Sequence, residues 1–306
     1  MTKSKKFHTA AVVTFFASAT ALGAQTFDGP IGYAEVQLNF GNATDNRPPD
    51  STFDYLKYGF QGQYGFPLFA NGILGAEITY RPYSWDESQA DFDTSDVPEK
   101  EFRLSFHYTH ALSDNFRLGG FGGYTRSALV VDDLQKEQYE TLFGGFEVQY
   151  FIGEQFMLYG QAGIGNTFNR PPDQSAASPE GFNDASFQRV GVTWFPIDST
   201  AITIDYEAAR SDAYLDGAGD RGEFQALELS GETRLPTDLP LTVTYYARRA
   251  DYETSAGNSA ITDVSMGLGV RMLFGADTPS ESWRSGRFLG APSLPSQAAD
   301  WLEALD

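Results

Sequence analysis

Residues 102–109 read FRLSFHYT, with Phe102, Leu104, Phe106 and Tyr108 alternating with Arg103, Ser105, His107 and Thr109. A period of two sends successive side chains to opposite faces of an extended strand, so one face is apolar and the other polar. The pattern recurs upstream. Ala34, Val36, Leu38 and Phe40 alternate with Tyr33, Glu35, Gln37 and Asn39, while Leu56, Tyr58, Phe60 and Tyr64 stand against Lys57 and Gln61. Leu74, Ala76, Ile78 and Tyr80 stand against Glu77, Thr79 and Arg81. It continues near 116–125, 140–150, 156–165, 187–195, 201–208, 224–234, 241–248 and 263–274, which makes twelve stretches. Their apolar faces carry no Asp, Glu, Lys or Arg, although these residues make up 20% of the chain.

The connections alternate in length. Short ones at 65–72, 111–115, 152–155, 195–200 and 235–240 carry turn residues such as Pro67, Asn71, Asp114, Asn115, Gly153, Pro196, Asp198, Pro236 and Pro240. Long polar ones occupy 41–53, 82–101, 126–138, 166–185, 209–223 and 249–262. An even number of two-faced strands, with short turns at one end and long connections at the other, predicts an all-β fold. It is a transmembrane antiparallel up-and-down β-barrel of about 12 strands over residues 25–274. Closure satisfies every main-chain donor and acceptor within the wall. A soluble sandwich also alternates, but it leaves unexplained the Tyr and Phe near strand ends, where a membrane barrel carries aromatic girdles. The string NRPPD at 46–50 and again at 169–173 reads either as a favoured loop sequence or as the trace of a duplicated six-strand unit.

At the start of the chain, Lys3, Lys5 and Lys6 precede an uncharged apolar stretch from Ala10 to Leu22, the layout of a secretory signal peptide over residues 1–24. That stretch is too short to span a bilayer as a helix. The 306 residues include no cysteine, so the exported chain relies on pairing and packing rather than on disulfides. Lys and Arg number 21 against 41 Asp and Glu, and a net charge of -20 argues against a nucleic-acid partner.

The last stretch, DVSMGLGVRMLF at 263–274, puts Met266, Leu268, Val270, Met272 and Phe274 on one face and ends on an aromatic. It resembles the C-terminal assembly signal of bacterial outer-membrane proteins. With the signal peptide, residues 1–274 resemble that class, porin-like barrels included. The resemblance implies residence in the cell outer membrane among lipid and lipopolysaccharide, and insertion by the barrel-assembly machinery. An even strand number puts both barrel ends in the periplasm. One departure is plain: 32 residues, 275–306, follow the aromatic that usually ends such chains. Their Pro, Ser and Gly content reads as a flexible C-terminal tail. Its last residues can form a short helix, capped by Ser296 with Trp301, Leu302 and Leu305 on one face, which would bind a partner or plug the lumen.

The polar faces carry the candidate site. Strands two to five send Lys57, Arg81, Arg103 and Arg117 inward, and strands nine and ten send Asp205, Glu207, Glu228 and Glu232 inward, about half a barrel away. Opposed basic and acidic walls resemble the constriction of general diffusion porins, where a transverse field selects polar solutes. The implied function is a porin-like channel for small hydrophilic solutes or ions. The alternative is that these charges pair and fill the lumen of a non-conducting structural or surface-interaction barrel. No enzyme is expected: the Ser105 and His107 pair faces the lumen rather than lipid. No cofactor and no dedicated metal site are expected either, since the loop acids, such as Asp86, Asp91, Glu101, Asp216 and Asp220, lack a ligand spacing.

Overall fold

The computed structural model describes residues 27, 29–45, 51–69, 71–85, 97–131, 135–169, 184–211, 221–254 and 260–292. Twelve strands account for most of them: β1 Ile31–Asp45, β2 Ser51–Pro67, β3 Gly72–Trp85, β4 Val97–Ser113, β5 Phe116–Val131 and β6 Gln135–Ile152. They continue with β7 Phe156–Asn169, β8 Ala185–Ile197, β9 Thr200–Ser211, β10 Gly222–Arg234, β11 Leu241–Thr254 and β12 Ala260–Phe274. Each strand pairs antiparallel with its sequence neighbours, and β12 closes on β1 with Leu268 opposite Leu38 and Phe274 opposite Gly32. The expected 12-strand antiparallel barrel is therefore the fold.

The strands outrun the alternating stretches that announce them. β1 continues through Asp45 and β4 begins at Val97, because main-chain pairing can extend past the point where side chains stop alternating. One consequence touches the site. Glu101, expected in a long connection, lies in β4 opposite Arg81 and is fully buried.

The outer wall exposes Val36, Leu38, Phe60, Phe106, Leu142, Phe146, Ile164 and Leu268, as a wall facing hydrocarbon must. Met266, Leu268, Val270 and Met272 belong to that outer face, and Phe274 ends β12 at the short-turn end.

After Phe274 the chain turns inward instead of trailing away. Gly275 has φ +71°, and a Cβ there would lie 2.0 Å from the Pro30 carbonyl oxygen, so the turn requires glycine. A short helix, α1 Pro279–Arg284, follows, capped by the Thr278 hydroxyl, which accepts from the Glu281 amide at 3.2 Å. Two contacts tie α1 to the short turns: the Ser280 amide donates to the Asp198 carbonyl at 3.2 Å, and Arg284 Nη2 donates to the Gly153 carbonyl at 2.6 Å. Beyond it, residues 285–292 run into the lumen, where Arg287, Phe288, Leu289 and Ala291 are buried.

This corrects the expectation of a flexible tail, at least for 275–292. Proline, serine and glycine suggest freedom only while nothing binds the main chain, and here the barrel wall binds it. The helix expected at 296–306 lies outside the described residues.

Inside, the barrel is apolar at both levels that flank its charged middle. Toward the short turns, Phe151, Met157, Tyr159, Phe195 and Ala201 pack with Trp283 and Leu289. Toward the long connections, Tyr55, Phe121, Phe143, Phe187, Phe224 and Tyr252 form a belt that reaches Ala291.

Candidate functional site

Between those levels lies a cavity of about 210 Å³, lined by Lys57, Arg81, Arg103, Glu207, Glu228 and Glu232 among others, with Trp283, Phe288 and Leu289 of the inserted segment contributing to it. Six of the eight charged residues singled out from the sequence thus border one space. Asp205 stands just behind it, accepting from Tyr159 Oη at 3.1 Å. Arg117 is elsewhere, near the start of β5 at the short-turn end, where its role is to hold the segment.

The charges do not form two opposed sets; they form local pairs. Arg103 meets Glu77 at 3.0 Å and Arg81 meets Glu101 at 3.6 Å, so the basic side carries its own acids. Across the lumen, Arg189 meets Asp205 at 3.0 Å and Glu207 at 3.4 Å, and Arg248 meets Glu207 at 3.3 Å. Nearer the short turns, Arg271 bridges Glu35 at 2.6 Å and Glu232 at 2.5 Å. The expected separation of charge across the lumen is corrected for a physical reason. Charges withdrawn from water need close partners, and neighbouring strands about 5 Å apart supply them more readily than the far wall does.

Glu228 is the exception. It lines the cavity, yet among the described residues its carboxylate has no hydrogen-bond or ion-pair partner; Asp205 lies opposite it in the β9–β10 ladder and Arg248 in the β10–β11 ladder. Asn39 also borders the cavity and is 1% exposed, with Oδ1 unpartnered.

The segment 283–292 is held from several sides. Arg117 donates through Nη1 to the Trp283 carbonyl at 2.7 Å and through Nη2 to the Arg284 carbonyl. Gln149, opposite Arg117 in the ladder, donates to the Arg287 carbonyl at 3.4 Å. Gln161 and Arg189, opposite each other on β7 and β8, both donate to the Gly290 carbonyl, at 3.1 and 3.4 Å. Arg103 Nη1 donates to the carbonyls of Ala291 and Pro292 at 3.1 and 3.3 Å, and the Ala291 amide donates to Glu77 Oε2 at 3.1 Å.

Side chains of the segment anchor its lower part. Trp283 Nε1 and Arg287 Nη1 both donate to Glu232, at 3.0 and 2.8 Å, and the Arg287 guanidinium lies 4.2 Å from the Trp283 ring centroid and 4.7 Å from that of Tyr33. Phe288 stacks on His107 at 4.5 Å, in a space that Gly75 leaves open: a Cβ at 75 would fall 2.1 Å from the ring. The pattern of the sequence marks 296–306 as the helical part of the tail and does not single out Trp283, Arg287 and Phe288. The available signal was two arginines and two large aromatics within an otherwise small-residue stretch.

The Ser105 and His107 pair extends into a series. Ser105 Oγ lies 3.1 Å from His107 Nε2, and His107 Nδ1 lies 3.3 Å from Glu147 Oε2. The order resembles that of nucleophilic hydrolases. However, the imidazole is packed between Phe121 and Phe288, and Ser105 is fully buried, so no substrate atom can reach the hydroxyl in this arrangement.

Comparison with known proteins agrees with the architecture. The family model described as "Outer membrane protein beta-barrel domain" matches residues 8–194. No curated protein matches. Among solved structures, an outer-membrane channel from Pseudomonas putida F1 aligns with TM-score 0.52 and 10% identity over 84% of this chain and 100% of its own. The translocator domain of the autotransporter NalP from Neisseria meningitidis aligns with TM-score 0.47 and 10% identity over 80% and 88%. A FadL homologue of Pseudomonas aeruginosa aligns with TM-score 0.45 and 8% identity over 81% and 90%. At such identities the likeness is one of fold. With the family model spanning more than half its length, the chain belongs to the outer membrane protein beta-barrel domain family and is an outer-membrane barrel.

Proposed function

We propose that this barrel is an outer-membrane passage for small hydrophilic solutes or ions, closed at rest by its own segment 279–292. The observation that carries the reading is the charged, polar-walled cavity at mid-height, bordered by Trp283, Phe288 and Leu289. A wall that needed only to be filled could be lined with apolar side chains at lower desolvation cost, whereas paired charges around a water-sized space suit polar solutes. The passage uses no cofactor and no covalent chemistry. Its short turns face the periplasm, because Gly275 packs against Pro30 and Ile31 at that end and an exported chain arrives from that side. Lipid and lipopolysaccharide surround the apolar wall, and the outer face of β12, ending at Phe274, presents the element that the assembly machinery takes up.

The competing reading is a barrel that never conducts, and the local charge pairs together with the aromatic belt around Phe121, Phe143 and Phe187 favour it. Planar-bilayer recording decides between them. The full chain is expected to be closed most of the time with brief openings, and the Trp283→Ala, Phe288→Ala double variant is expected to conduct steadily. A variant that keeps its heat-modifiable barrel form in gels yet never passes current would leave the non-conducting barrel as the function.

A further inference from the structure

The way the wall holds its inserted segment differs from ordinary core packing. From Trp283 to Pro292, wall side chains meet main-chain atoms at residues 283, 284, 287, 290, 291 and 292. The donors are spread over five strands: Arg103 on β4, Arg117 on β5, Gln149 on β6, and Gln161 and Arg189 on β7 and β8 respectively. Glu77 on β3 adds the one acceptor, for the Ala291 amide. Hydrogen bonds to carbonyls and amides are available from any polypeptide, whatever its side chains. Only the lower part of the segment is identified by side chains, through Trp283 and Arg287 on Glu232 and Phe288 on His107.

We propose that the lumen wall is a peptide-binding track, and that segment 283–292 is an exchangeable occupant of it. The ligand class is a peptide with a Trp and an Arg four residues apart, a Phe directly after the Arg, and then an extended run of small residues gripped through its main chain. The track occupies one side of the barrel, β3 to β8, and the anchor site lies opposite, at Glu232 on β10. A peptide of this pattern supplied from outside, including the same segment of a second copy, meets the same partners as the resident one. Gly275, which directly follows β12, is the joint that lets the resident segment turn in.

The test keeps the whole chain. A protease site is inserted after the exposed Asp277, the protein is folded and then cut, and a fluorescent synthetic peptide of residues 278–292 is added while anisotropy and release of the resident segment are followed. The labelled peptide is expected to replace the resident one saturably. A peptide with the 291 amide replaced by an ester, which deletes the donor to Glu77, is expected to bind roughly tenfold more weakly, the loss typical of one hydrogen bond to a charged group. Pro292→Ala in the peptide, which leaves the carbonyls in place, should stay within about threefold. Failure of any peptide to enter a cut barrel that remains folded would overturn the proposal. So would an ester peptide that binds as well as the parent. The outcome is separable from conduction: exchange without current supports the peptide track and removes the channel, whereas current after cutting with no rebinding does the reverse.

Discussion

The two halves of the lumen solve one problem differently. Toward the short turns, Arg117, Gln149 and Gln161 donate to carbonyls of the inserted segment, and Glu232 takes both an indole and a guanidinium from it. Toward the long connections, Arg81, Arg189 and Arg248 are met by Glu101, Asp205 and Glu207, all supplied by the wall itself. The first half therefore depends more heavily on residues 279–292 for its stability than the second, which the segment reaches through the Gly290 carbonyl on Arg189 and through Ala291 in the aromatic belt. A perturbation of the segment should be felt most in the first half and less in the second.

The largest effect removes both halves at once. Phe274→Asp places a charge at the end of the outer face of β12, where the strand closes on β1 opposite Gly32. The aromatic ends the proposed assembly element, at the strand end where a girdle would lie. No heat-modifiable barrel should accumulate in the membrane. If the variant reaches the normal gel mobility and yield, the assembly element lies elsewhere.

Next in size is deletion of 275–306, which sharpens the comparison. Trp283, Phe288 and Leu289 are each worth roughly 1.5–3 kcal/mol of burial, and ordering the segment costs part of that back. The truncated barrel should therefore melt earlier by a few kcal/mol equivalent in detergent. Hydrogen exchange should rise in β5 to β7 near the short turns while β9 to β11 near the long connections stays protected. Uniform loss of protection would mean that the two halves are one cooperative unit.

How far the sequence reaches follows the same division. The outer face of every strand is legible because hydrocarbon admits only apolar side chains, so a run such as Phe102 to Tyr108 announces both strand and orientation. Inward placement of Lys57, Arg103 or Glu207 then follows from parity. Pairing is less legible. Whether Glu207 meets Arg189 and Arg248 or faces Arg103 across the lumen depends on register between strands, which period alone does not fix. Least legible is the segment, since its binding rests on carbonyls that every residue possesses. Only its anchors, Trp283, Arg287 and Phe288, carry any mark of it in the sequence.

A smaller perturbation acts on the segment without touching a charge. Gly75→Ala directs a methyl group at the Phe288 ring, which is itself packed against His107 and cannot simply swing away. Overpacking of this kind costs about 1–3 kcal/mol. The expected result is a modest loss of melting temperature together with faster proteolysis at the exposed connector residue Asp277. Retained resistance to protease would mean that the ring finds another place within the lumen.

The smallest effect is expected at Glu228, and the contrast with Glu207 is its meaning. Glu207→Gln withdraws a charge that two guanidiniums share, leaving Arg248 without that ion pair and Arg189 with Asp205 only. Removing one member of a buried ionic group leaves the other desolvated and poorly compensated, so a loss on the order of 2–3 kcal/mol follows. Among the described residues Glu228 makes no such pair, and it lies between Asp205 and Arg248 in the two ladders, so Glu228→Gln removes a repulsion along with a longer-range attraction and breaks no ion pair. Its stability should change by less than about 0.5 kcal/mol or rise slightly. If the lumen conducts, however, losing an acid that faces the cavity outside any ion pair should shift the reversal potential under a salt gradient away from cations more than Glu207→Gln does, because a paired charge is already largely cancelled. Equal melting losses for the two variants would break the distinction between paired and free acids. Equal reversal potentials with unequal melting would confine Glu228 to the structure of the wall and give ion preference to the acidic surface beyond it.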